Sequence, residues 1–134
     1  MKKIRTLILS LVLFGSFGQA AFASSVDYYE FTIQYYGNQL YGDLFTNQNS
    51  SPSISGWQVG ACGSNTSMEY ALVKNGTFGD TTYGSIQTVN GNYTQPGTWY
   101  TKSWSNVATN QQMQIRLRNN ASSCSTQGAG NVYN

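Results

Sequence analysis

The sequence predicts an all-β protein: a single antiparallel β-sandwich or small β-barrel of about seven or eight short strands, stapled by one disulfide. Three observations predict it. Apolar and polar residues alternate with period two in several separate runs. Asn-Gly dipeptides and other turn residues punctuate these runs at short intervals. Beyond residue 23, Tyr, Trp and Phe are as numerous as Val, Ile, Leu and Met together. Half of the core is therefore expected to be aromatic, which also separates the chain from disordered Ser/Asn/Gln/Gly-rich sequences.

Residues 1–23 read as a secretory signal peptide. Lys2, Lys3 and Arg5 form a basic start, Leu7 to Phe17 form the apolar stretch, and Ala21-Phe22-Ala23 supplies the small residues of a cleavage site. The apolar run is shorter than the roughly 20 residues that span a bilayer, so no membrane span is expected after cleavage. Residues 24–134 are then one secreted β domain. Export gives Cys62 and Cys124, the only cysteines, an oxidising setting in which to pair.

In chain order, the first strand is marked by Tyr29, Phe31, Ile33 and Tyr35 alternating with Glu30, Thr32 and Gln34. The odd-numbered set is expected to face inward, with Tyr28 and Tyr36 outward. A weaker strand follows over residues 39–45. Trp57, Val59 and Ala61 are expected inward, between Gln58 and Gly60. Met68, Tyr70 and Leu72 mark a strand that runs toward the Asn75-Gly76 turn. Residues 85–89 lead to Asn90-Gly91, read as another hairpin turn with Tyr93 beyond it. Residues 97–104 and 130–133 are weaker strands. Between them, Met113, Ile115 and Leu117 alternate with Gln114, Arg116 and Arg118. Trp104, Val107, Gln111 and Ile115 also fall at helical spacing, but the intervening Ser, Thr and Asn residues disfavour a helix there.

Composition narrows the chemistry. The whole chain has a formal charge of +2, yet three of its seven basic residues lie in the leader. Lys74, Lys102, Arg116 and Arg118 then face Asp27, Glu30, Asp43, Glu69 and Asp80, too little positive charge for electrostatic nucleic-acid binding. With no histidine, there is no Ser-His-Asp triad, no Cys-His pair and no histidine metal ligand. Serine–lysine chemistry at Lys74 or Lys102 lacks a surrounding motif. Paired glycosidase carboxylates would have to come from Glu30 with Glu69 or Asp80, and a calcium site from Asp80 and Asp43, although these acids are scattered singly. No enzyme activity, cofactor or metal is expected.

The remaining signal is the aromatic excess. Adjacent Tyr28-Tyr29, Tyr35-Tyr36 and Trp99-Tyr100 must split between two faces of a strand, so some rings are expected on the surface, beside Tyr41 and Tyr83. Exposed Tyr and Trp among Ser, Gly and Asn make adaptable binding surfaces. Tyr36, Tyr41, Trp99 and Trp104 are the candidate ligand-binding residues. They imply a partner such as a cell-wall or environmental glycan, or a target-cell surface protein.

Several segments together resemble a family of small secreted Gram-positive (Bacillus-type) proteins built on a domain of unknown function. They are the Ala-x-Ala leader, Tyr29-Glu-Phe-Thr-Ile33, Glu69-Tyr-Ala-Leu-Val-Lys-Asn-Gly76, Trp99-Tyr100 and Gln114-Ile-Arg-Leu-Arg118 with Asn119-Asn120. The cysteine pair departs from that family's pattern, and the resemblance implies no catalytic residues. A looser compositional likeness is to lactococcin 972-type bacteriocins. The expected function is that of a small non-enzymatic extracellular binding or surface-associated protein. The alternatives are a bacteriocin-like antibacterial factor, or an inhibitor presenting residues 50–56 to an extracellular hydrolase.

Overall fold

Two antiparallel sheets packed face to face form the computed structural model, which describes residues 24–134 except residue 122. The expected signal peptide lies outside the described residues. Nine strands follow one another: β1 (Ser25–Ile33), β2 (Gln39–Tyr41), β3 (Phe45–Asn47), β4 (Ser53–Gly60), β5 (Ser67–Lys74), β6 (Thr81–Asn90), β7 (Tyr100–Ser103), β8 (Gln111–Asn119) and β9 (Thr126–Tyr133). One sheet has the order β1-β9-β4-β7 and the other β2-β8-β5-β6, with β3 also paired to β8. The strand count exceeds expectation because the segment at residues 39–45 is broken. At Gly42 a Cβ would come within 2.6 Å of both Asp27 Oδ2 and Ile115. The chain leaves the ladder there and rejoins β8 at Phe45.

The disulfide forms between Cys62, just after β4, and Cys124, just before β9, with Cα atoms 5.7 Å apart. It ties neighbouring strands together where Gly60 pairs with Thr126. Closing a loop of 62 residues stabilises the fold by about 4 kcal/mol in the chain-entropy account.

Alternation places β1 as expected through Ile33: Asp27, Tyr29, Phe31 and Ile33 are buried while Tyr28, Glu30 and Thr32 are exposed. In β8, Met113, Ile115 and Leu117 are buried in the same way. In β4 the expected face is inverted. Ile54, Gly56, Gln58 and Gly60 point inward, whereas Trp57 and Val59 lie half-buried on the outer face and Ala61 is exposed beyond the strand. The reason lies in the opposing rings. Register aligns Tyr29 of β1, Gly130 of β9, Gly56 of β4 and Tyr100 of β7 in one row across the sheet. At strand spacing, the two outer Cα atoms are about 14 Å apart, a gap that two phenol rings laid toward each other can span. Their hydroxyls meet at 2.8 Å. The rings need the space that side chains at Gly56 and Gly130 would take. A Cβ on Gly130 would strike the Tyr29 hydroxyl, and one on Gly56 would come 2.9 Å from that of Tyr100. A second row repeats the device, with Phe31 lying over Gly128 beside Gln58.

The opposite sheet contributes Tyr70, whose ring packs 5.3 Å from that of Tyr100 and 6.0 Å from that of Tyr29. Tyr100 Oη donates to Tyr70 Oη at 2.9 Å, and Tyr70 Oη donates to Gln58 Oε1 at 2.9 Å. With one proton per hydroxyl, Tyr29 must donate to Tyr100. Gln58 Nε2 completes the chain by donating to Val89 O and Gly91 O. The inverted face of β4 thus supplies the amide that satisfies three buried phenols.

Two further expectations give way. Asn90-Gly91 does not form a hairpin within one sheet; Gly91 turns the chain to the other sheet, where Tyr93 bridges Gln58 of β4. Trp104 lies beyond the end of β7, is 2% exposed, and donates from Nε1 to Ser85 O at 2.6 Å. No helix forms between β7 and β8; Trp104 N and Val107 N are bonded to Pro52 O and Ser50 O instead. Trp104 also fits against Gly84, whose φ of +72° accompanies the irregular register of β6 opposite Tyr70 and Leu72.

Two measurements test this core. Gly56→Ala and Gly130→Ala should each destabilise the protein by about 1–3 kcal/mol through overpacking, seen as a lower urea midpoint. The buried phenols set an alkaline limit. Burial, then the neighbouring phenols, pushes Tyr29, Tyr70 and Tyr100 above the ordinary tyrosine value of 10.0. The unfolded chain releases these protons near pH 10 while the folded one retains them. Stability from this source is therefore full below pH 10 and falls as pH rises beyond it, so the melting temperature should drop above pH 10.

Candidate functional site

The two sides of the sandwich differ. On the β6–β7 side, Gln87 Nε2 reaches Ser103 O and Trp104 fastens to Ser85, bridging the sheets. On the other side, β1 pairs only with β9 and β2 only with β8, and no ladder joins β1 to β2. Two adjoining open depressions that share Leu40 follow this seam, and together they make a groove in two halves. One half, of about 330 Å³, is lined by Thr32 to Tyr35 and Asn38 to Leu40. The other, of about 290 Å³, is lined by residues that include Tyr28, Glu30, Leu40, Tyr41 and Asp43. Leu40 faces the interior side of β2, opposite Leu117, and borders both halves.

The turn between β1 and β2 builds the rim. Asn38 N–H donates to Tyr35 O at 3.2 Å and Gly37 has a φ of +79°, the conformation that favours glycine at the third turn position. The turn is anchored to β8 by Gly37 N to Asn119 O at 2.8 Å and Asn119 N to Asn38 O at 3.0 Å. The Asn119 side chain, fully buried, donates to Ile33 O and Cys124 O. This scaffold holds Tyr35 and Tyr36 outward, 67% and 56% exposed, with Tyr28 at 59% on the same edge. Tyr35 is thus a surface residue, contrary to the alternation that places it in the core, because the turn ends β1 at Ile33. The Tyr-Tyr-Gly-Asn turn signature was the available signal.

The four candidate binding residues do not form one site. Tyr36 is exposed on the turn between β1 and β2 but does not line the groove, whereas Tyr41 does. Tyr41 is on β2, and its hydroxyl accepts from Gln39 Nε2 and donates to Asp80 Oδ2 at 2.9 Å. Trp99 is partly exposed beside β7, at the opposite edge of its sheet from β1. Trp104 is a core residue. The exposure expected of a binding residue gives way because β7 ends before it and its indole fills the space beside Gly84. Residues 50–56, considered as an inhibitory loop, are largely taken up by β4 from Ser53 onward.

The carboxylates considered for catalysis are also separated. Asp80 is paired with Arg116 at 3.0 Å, and Glu69 faces Arg118 at 3.8 Å. Among the described residues, no group of three His, Cys, Asp or Glu is placed to hold a metal ion. Nor is any helix long and apolar enough to cross a membrane. Asp27 was not singled out from the sequence. It is 7% exposed, and its Oδ2, turned toward Gly42, has no hydrogen-bond partner. Burial, then the Asp43 carboxylate, raises its pKa above the ordinary 3.8, while the backbone N–H groups of Tyr28 and Asp43 act in the opposite direction.

Comparison with protein-family models, with curated proteins and with solved structures finds no match.

Asp27 sets an acid-side prediction. Its folded-state pKa is raised, so the stability it contributes is full below about 3.8 and declines as pH rises through the folded value. Asp27→Asn should therefore raise the melting temperature at neutral pH, and that gain should vanish at pH values below 3.8.

Proposed function

We propose that this is a secreted, non-enzymatic binding protein that holds a polysaccharide in the groove between β1 and β2. The observation that carries the reading is that the exposed rings of Tyr35 and Tyr28 line the two halves of the groove, with Tyr36 exposed on the adjoining turn and a lining of Thr32, Gln34, Asn38 and Gln39. Aromatic rings offer apolar faces to the C–H surfaces of sugar rings, and amides and hydroxyls offer both donors and acceptors to sugar hydroxyls. The rim is preorganised by the buried Asn119, which limits the entropy lost when a chain binds. Export fits the Cys62–Cys124 bridge, since such bonds persist in oxidising compartments. Tyr41 and Tyr36 are retained from the sequence-based candidates, and Tyr35 and Tyr28 join them.

Pull-down on peptidoglycan, cellulose and chitin tests the proposal. Retention by at least one polymer is expected, with Tyr35→Ala/Tyr36→Ala weakening it roughly tenfold, the loss of two stacking contacts of about 0.5–1.5 kcal/mol each. No retention on any polymer, or retention indifferent to both substitutions, would remove the proposal.

A further inference from the structure

The acids and bases of the protein are not evenly matched. Both arginines have acidic partners, Arg116 with Asp80 and Arg118 with Glu69. The remaining acids are Asp27, Glu30 and Asp43. Glu30 and Asp43 line the same half of the groove, and Asp27 stands behind it against Gly42, another lining residue. No lysine or arginine lines either half. The lysines of the described residues are elsewhere: Lys74 at the end of β5, and Lys102 on β7, across the sheet from β1.

Two exposed carboxylates without basic partners, Glu30 and Asp43, therefore line one end of a groove whose other end is lined only by uncharged residues. Behind this end, the buried Asp27 Oδ2 has no hydrogen-bond partner and is turned toward the lining residue Gly42. The proximity of Asp43 raises the Asp27 pKa, as expected of like charges held together. Glu30 and Asp43 are both solvent-exposed and free to meet a ligand.

We propose that the groove takes a polysaccharide bearing primary amines, such as a chain containing non-acetylated glucosamine, with its ammonium groups at the Glu30–Asp43 end. This rests on the polysaccharide reading above. Sugar rings stack on Tyr35 and Tyr36 at the uncharged end, while charge selects for amine over acetamide at the acidic end. A bare metal ion is a poorer fit, because no three ligands stand together. The attraction is partly screened at these exposed carboxylates, so binding weakens as salt rises.

The experiment is calorimetric titration of the purified protein at mildly acid pH with three probes of matched length: soluble chitosan, the same polymer after N-acetylation, and oligolysine. Binding to chitosan about tenfold tighter than to the acetylated polymer is expected, with the difference abolished in Glu30→Gln/Asp43→Asn. Both positions are on the surface, so the variant should fold as the parent does, with a melting temperature no lower than the parent's. Equal affinity for chitosan and its acetylated form, or selectivity that survives the double substitution, overturns the amine proposal but leaves the polysaccharide reading in place. Oligolysine bound as tightly as chitosan shows that charge alone is recognised and overturns the sugar component. No binding to either polysaccharide overturns both readings.

Discussion

Two tyrosine hydroxyls meeting above two glycines are the constraint from which much of this fold follows. Tyr29 and Tyr100 come from opposite edges of one sheet and touch because β9 and β4 carry no side chains between them at Gly130 and Gly56. That contact requires β4 to present glycines inward, which brings Gln58 inward with them. Gln58 in turn accepts the proton of Tyr70 and closes the hydrogen-bond chain on the backbone of the opposite sheet. Interior volume and polar satisfaction are thus solved by the same strand face. A conventional aliphatic filling at Gly56, Gly128 and Gly130 would have no space for the rings.

The candidate site depends on what this sandwich leaves open. Its β6–β7 side is bridged by Trp104 and Gln87, whereas β1 and β2 separate after a tight turn and pair with strands of different sheets. Their facing edges leave a seam filled partly by Leu40, with rings turned outward at one end and carboxylates at the other. Open strand edges in natural proteins are normally short, twisted or charged to avoid self-pairing. Here β2 is only three residues long, and Glu30 and Asp43 stand at the seam. The features that guard the edge are also those available to a ligand.

Legibility in the sequence followed how local the controlling interaction was. The alternation in β1 and β8 was readable because apolar and charged residues sort cleanly between core and water. It misled in β4, where Trp57 and Val59 are the more hydrophobic set yet lie outside. Their exclusion is imposed by rings from β1 and β7, positions far away in the chain. Tyr35 was misplaced because alternation was extended into a turn whose glycine, at φ +79°, ends the strand. Trp104 was misplaced because its pocket is made by a β6 irregularity at Gly84, which period-two reasoning does not register. Of the residues put forward for binding, Tyr41 lines the groove and Tyr36 is exposed on the turn beside it. Asp27 passed unnoticed because an isolated acid in a strand normally faces water.

By itself, the sequence determined an all-β, aromatic-rich domain and a single possible disulfide pairing. These depend on local period, composition and cysteine count. The tertiary structure decided which face of β4 is buried, that the phenols form one hydrogen-bond chain, and that two exposed acids without basic partners line one end of a groove. Those outcomes depend on strand register and on which edges remain unpaired. Both are set by contacts between distant segments competing for the same interior space, and no window along the chain contains that competition.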